Sequence, residues 1–236
     1  MIPTPGEQAA REEIERRVEA TTRVVFRPIA SPAALGFVGL AGATLTLAGL
    51  QLGWVPKAQG QDVALIVLGF TLPLQLLASI FGFLARDAVV ATGMGTLSGI
   101  WFAIALVLHS SPPGATSDAL GLFLLGAGVA MWIPATAAAS AKVVPALVLA
   151  TAGVRFVLGG LHQLTSREGW EDAAGIVGLA LFALALYAAL AAELEDAQKR
   201  AVLPLGRRGR GAAAVEGSLV DQAKEVASEP GVRQQL

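Results

Sequence analysis

Apolar stretches long enough to cross a bilayer alternate along this chain with short polar breaks. The stretch Leu72 to Trp101, LPLQLLASIFGFLARDAVVATGMGTLSGIW, contains two of them joined at Ala85-Arg86-Asp87. A hydrocarbon core about 30 Å thick takes roughly 20 apolar residues as a helix. Backbone polar groups have no water there, so a break this short is a tight turn at the membrane surface. Extending the pattern outward from this hairpin gives six spans, at residues 31–53, 61–84, 88–109, 119–139, 143–164 and 172–192. The predicted fold is an all-α integral membrane protein, a six transmembrane helix bundle. A charged N-terminal segment (1–30) precedes the six-span transmembrane domain (31–206). A Gly/Ala/charge-rich tail (207–236) without apolar periodicity follows it and is expected to be disordered.

Local signals refine these elements. Ser31-Pro32 suits the start of span one, with Ser as N-cap and Pro at the first helical position. Pro73 inside span two predicts a kink, and Asp87 is placed to cap span three. Glu12/Arg16 and Glu13/Arg17, at helical i,i+4 spacing, predict a short surface helix before the membrane. Glycines crowd the odd-numbered spans, as at Gly36, Gly39, Gly42, Gly49, Gly95 and Gly99. Small residues let backbones approach closely; with Gly and Thr clustered in spans one and three and Arg155 in span five, spans 1, 3 and 5 are expected to line a central path.

Composition agrees with a membrane protein. The chain of 236 residues is 54% hydrophobic and only 15% charged, against about 25% charged in soluble domains. A net charge of -1 provides no basic field for nucleic acid. Cysteine is absent, and His109 and His162 lie in no metal-ligand spacing. Neither a metal site, nor a cofactor, nor a catalytic set is therefore expected, and the protein reads as no enzyme. The first apolar run has the length of a full span and is expected to stay in the protein. If the termini and the turns at Arg86 and Lys142 share one side, that side holds all of the 17 Lys and Arg except Lys57, Arg155 and Arg167. The positive-inside rule then puts both termini in the cytoplasm of a multi-pass protein of the cell (plasma) membrane.

Arg155 is the most informative residue. It lies twelve residues into span five, about 18 Å deep at ~1.5 Å per residue. An arginine at that depth costs roughly 2.5 to 3.5 kcal/mol on insertion scales and has to face protein or water. Every carboxylate near the spans sits at a span end or in a loop. Two readings are open. In one, the missing carboxylate is a transported anion held by a charge-assisted hydrogen bond. In the other, backbone carbonyls, Thr44 or Gln75 satisfy the guanidinium structurally. Gln75 itself is either an interhelical hydrogen-bonding group or a donor lining the path.

Three separated motifs resemble the acetate uptake transporter family. The opening SPAALGFVG is similar to the signature N-P-x-P-L-G-L at Pro32, Leu35 and Gly36. The hairpin resembles A-Q-x-x-A-G-x-x-E-F-x-x-G-N-T-F-G-x-T-A-F-x-S-Y-G-x-F-W at Gln75, Ala78, Phe83, Thr92 and Trp101. The ending resembles R-x-V-L-P-x-G at Arg200, Val202, Leu203, Pro204 and Gly206. Ser31 stands where the signature has asparagine, Gly82 where the hairpin pattern has glutamate and Asp87 where it has asparagine.

This resemblance implies six spans, transport of acetate and in some members succinate together with protons, and a homo-oligomer, a hexamer. It implies a hydrophobic constriction whose aromatic positions are Leu40 and Leu97 here, with a third position near Ala150 or Thr151. The expected function is a transporter or channel for small monocarboxylates in the lipid bilayer. Arg155 would attract the anion, Gln75, Thr92 and Ser31 would lie along the path, and Leu40, Leu97 and Thr151 would form the gate. The alternative is a non-transporting membrane scaffold whose charged termini bind a cytoplasmic partner while Arg155 locks two helices together.

Overall fold

The computed structural model describes residues 29–198, 200–209 and 211–212. Residues 1–28 and 213–236, and with them the expected N-terminal surface helix and most of the tail, lie outside the described residues. Residues Ile29–Gly211 form one compact unit. It holds six helices long and apolar enough to cross a membrane: α1 (Ala33–Gln51), α2 (Lys57–Leu84), α3 (Ala88–Ser110), α4 (Asp118–Ala139), α5 (Val143–Thr165) and α6 (Glu168–Gln198). The described residues thus form an all-helical, multi-pass membrane bundle. Sequential helices pack together, and α6 returns to α1, closing a ring. The start of α1, the α2–α3 and α4–α5 turns and the C-terminal segment share one end, here the terminal face. The connections α1–α2, α3–α4 and α5–α6 form the opposite, loop face.

Small residues set how closely the helices approach. A Cβ on Gly128 would lie 2.7 Å from the Gly153 carbonyl oxygen, and one on Gly160 2.9 Å from that of Gly121. Glycines seven apart on α4 and α5 therefore meet in one antiparallel seam. In the α2–α3 hairpin a Cβ on Gly82 would lie 2.8 Å from the Ala91 backbone nitrogen. The glutamate that the resembling pattern carries at this position has no room here. Ser79 Oγ donates to the Ala91 carbonyl (2.7 Å) beside it. Asp87 caps α3 as expected, accepting from Val90 N at 3.0 Å.

Several expectations need correction. Helix α1 begins at Ala33 with Pro32 as its cap residue and no side-chain capping bond, so Ser31 caps nothing. Pro73 is preceded by a π-helical turn, Val67–Thr71, in which Leu72 N reaches back to the Val67 carbonyl. That wider turn re-registers the hydrogen bonds where proline has no donor. Helix α6 runs on to Gln198 rather than ending near Ala192. At roughly 46 Å for its 31 residues it outreaches the hydrocarbon layer. Its last turns hold Glu195, which is ion-paired with Arg207.

The docked part of the chain likewise continues past Gly206. The Gly206 and Leu205 carbonyls accept from Val143 N and Val144 N, both at 3.1 Å, and Arg208 N donates to the Ala141 carbonyl at 2.9 Å. The tail motif is thus a strap that satisfies the first amides of α5, donors that a helix cannot pair internally. Tyr187 Oη donates to the Pro204 carbonyl (2.9 Å) and holds the strap to α6. Gly206 is required because its φ is +64° and a Cβ there would lie 2.7 Å from Val143 Cβ.

Candidate functional site: a buried arginine below the loop face

Two cavities enter the bundle from opposite ends. The loop-face cavity, about 100 Å³, is walled by Leu47 and Gln51 of α1, Ile104 of α3, Phe156 and Arg155 of α5 and, at its mouth, Lys57 and Glu171. The terminal-face cavity, about 90 Å³, is lined by Phe37 of α1, Met94 of α3, Leu149 of α5 and two charged residues, Asp87 and Lys142. Helices α1, α3 and α5 supply most of the residues of both linings, although their glycines mostly abut neighbouring helices instead of the cavities.

Between the cavities each of these helices presents fully buried side chains: Leu40 and Thr44 on α1, Leu97 and Trp101 on α3, and Ala152 on α5. From Phe37 to Leu47, and from Met94 to Ile104, this barrier is about 15 Å long at the helical rise. Thr44 adds no polarity to it, since its hydroxyl donates back to the Leu40 carbonyl at 2.8 Å.

Arg155 is only 2% exposed. One guanidinium nitrogen, Nη2, donates to Gln51 Oε1 at 3.0 Å. Its Cζ lies 5.4 Å from the centroid of the Trp101 ring, within cation–π range. Trp101 is held edge-on by Phe156, with ring centroids 5.5 Å apart. Gly178 of α6 makes room for the group, because a Cβ there would lie 2.7 Å from Arg155 Nε. Among the described residues Arg155 Nε and Trp101 Nε1 have no hydrogen-bond partner. The neighbourhood thus holds a full positive charge and two donors without partners; Arg155 lines the loop-face cavity, whereas Trp101 does not border it.

The other expected site residues fall in different places. Leu40 and Leu97 are buried in the barrier, and Thr151, partly buried, lies one turn before Arg155 on α5. Gln75 is fully buried with neither side-chain atom hydrogen-bonded among the described residues, and it borders neither cavity. A Cβ on Gly39 would approach its Cγ to 3.3 Å, which places it at the α1–α2 seam. Thr92 is exposed on the outside of α3, its hydroxyl donating to the Ala88 carbonyl at 2.6 Å. Ser31 is exposed at the terminal face. Arg155 therefore does not meet Thr44 or Gln75. Its partner is Gln51, which sequence reasoning missed although it is the only polar side chain in the last turn of α1.

The sequence profile of the GPR1/FUN34/yaaH family matches residues 16–205. The chain belongs to this family. The resemblance to acetate uptake transporters, drawn from three short motifs, is thereby shown. No curated protein matches the chain. Among solved structures the fold is similar to that of the bacterial acetate channel SatP, with a TM-score of 0.67 and 22% sequence identity over 75% of this chain and 99% of that one.

Proposed function

We propose that this member of the family moves small monocarboxylate anions, acetate first among them, across the plasma membrane together with protons. In this reading the termini are cytoplasmic, so the Arg155 cavity opens to the outside. Leu40, Leu97 and Thr151 form the gate, an apolar constriction that restricts conduction by dewetting. The observation that carries the reading is the Arg155 charge, which lines a cavity and has a neutral amide as its hydrogen-bonded partner. A carboxylate arriving there gains a charge-assisted hydrogen bond and neutralises the charge.

Size and charge favour acetate over succinate. A cavity of about 150 Å³ holds benzene, with its six heavy atoms, so about 100 Å³ suits acetate's four and not succinate's eight. Arg155, the one deeply buried cation among the described residues, also neutralises one negative charge; Lys57 at the mouth is already paired with Glu171 at 2.8 Å. Assembly as a homo-hexamer would cover the apolar groove between α3 and α4, where Cβ atoms on Gly99 and Gly126 would meet nothing within 4 Å. Native mass spectrometry reads that subunit number.

The test is flux of labelled acetate and succinate into proteoliposomes under an imposed proton gradient, beside protein-free vesicles that report leak of the neutral acid. The expected result is saturable acetate flux above the control, stimulated by protons and little inhibited by succinate. Flux equal to the control for both solutes overturns the proposal.

A further inference from the structure

Two turns beyond Arg155, on the same face of α5, His162 lines the same cavity. Its Nδ1 lies 3.2 Å from the Arg167 carbonyl oxygen. A carbonyl only accepts, so in the neutral ring Nδ1 carries the proton and Nε2 presents a bare lone pair. That lone pair faces Glu171 Oε2 at 3.9 Å, and both side chains are only 12% exposed. An acceptor therefore lies beside an acceptor, and one added proton would turn the contact into an ion pair. The same Glu171 oxygen accepts from Lys57 Nζ at 2.8 Å, the ion pair that spans the cavity mouth.

Resting on the carboxylate reading of Arg155, we propose that His162 Nε2 is where the accompanying proton binds, with Glu171 as its counter-charge. The charged groups that share the cavity with it are Lys57 at the start of α2, Arg155 on α5 and Glu171 on α6; Glu168 and Asp172 of α6 act on Lys57 at the mouth. Arg167 meets it through its carbonyl. Helices α1, α3 and α4 line the cavity with uncharged side chains only.

Seven residues along a helix is about 10 Å. A unit charge at that distance, at an effective dielectric constant near 20, changes binding roughly ten-fold. An anion at Arg155 therefore favours the proton at His162, and by reciprocity the proton favours the anion to the same degree. Protonation also gives Glu171 a second partner and loosens its hold on Lys57 at the mouth. Proton and carboxylate would thus enter together through a single cavity.

The experiment uses the full chain in lipid nanodiscs, with acetate as the probe. Acetate binding is measured by calorimetry in weakly buffered solution together with proton uptake, and ¹⁵N-histidine spectra report the tautomer. There are only 2 histidines, so His109→Gln leaves one signal. The expected results are an Nδ1–H tautomer in the neutral ring, proton uptake on acetate binding, and an acetate affinity that weakens roughly ten-fold from acid to alkaline pH. His162→Gln and, separately, Glu171→Gln should retain acetate binding while abolishing or sharply reducing proton uptake and flattening that dependence. Acetate binding with undiminished proton uptake in His162→Gln, or an Nε2–H tautomer, overturns this inference and leaves the transport reading standing. An absence of saturable acetate binding overturns both.

Discussion

Replacing Arg155 by methionine separates an anion-binding role from a structural one. Methionine matches the unbranched stem and removes only the charged head. In the resting protein the guanidinium has one hydrogen bond, to Gln51 at 3.0 Å, and the Trp101 face at 5.4 Å. A hydrogen bond from a charged group is worth about 1.5 to 3 kcal/mol net, and a desolvated cation–π contact about 2. Against these stands the roughly 2.5 to 3.5 kcal/mol cost of an arginine at mid-membrane. The two sides largely offset each other, so the variant should lose no more than about 2.5 kcal/mol of stability, a shift of up to about 10 °C in Tm. Carboxylate binding has no such offset. Loss of a charge-assisted bond worth about 1.5 to 3 kcal/mol weakens acetate roughly 10- to 150-fold. Acetate-dependent thermal shift and saturable proteoliposome flux read the two quantities in one preparation. Unchanged acetate affinity in a folded Arg155→Met protein would refute the reasoning and leave the residue as a helix lock. A collapse in stability with no folded protein recovered would show that the energies above are misassigned.

Further expectations follow from the barrier and the strap. Leu97 is fully buried between the cavities, so Leu97→Ala should lower stability by about 2 to 5 kcal/mol yet raise acetate flux and admit longer monocarboxylates such as butyrate. Unaltered flux and selectivity would place the gate elsewhere. Gly206→Ala forces a Cβ to 2.7 Å from Val143 Cβ at a φ of +64°, a backbone strain of about 1 to 2 kcal/mol before the clash is counted. The strap should detach and expose Arg207 and Arg208 to trypsin, and cleavage no faster than in the native chain would contradict the capping role assigned to it.

The apolar periodicity of the sequence by itself determined the six helices, because a bilayer leaves a crossing segment no alternative to helix and sets its length. The predicted ends of α2 at Leu84 and of α4 at Ala139 coincide with those observed. Asp87 could be identified as a cap because capping is local. The depth of Arg155 was legible for the same reason, since a helical rise converts residue count to distance. What joins distant segments was not legible. That Gln51, 104 positions away, holds the guanidinium depends on how α1 and α5 lie in the ring. Thr44 and Gln75 looked equally suitable by depth but face their own backbone or the α1–α2 seam. Likewise the convergence of Lys57, His162 and Glu171 on one cavity mouth joins three loop-face elements that no local pattern connects. The sequence alone establishes that a buried cation must exist near the middle of span five. Only the packing of the six helices decides which groups surround it, because hydrogen bonds and charges act through space over a few ångströms and not along the chain.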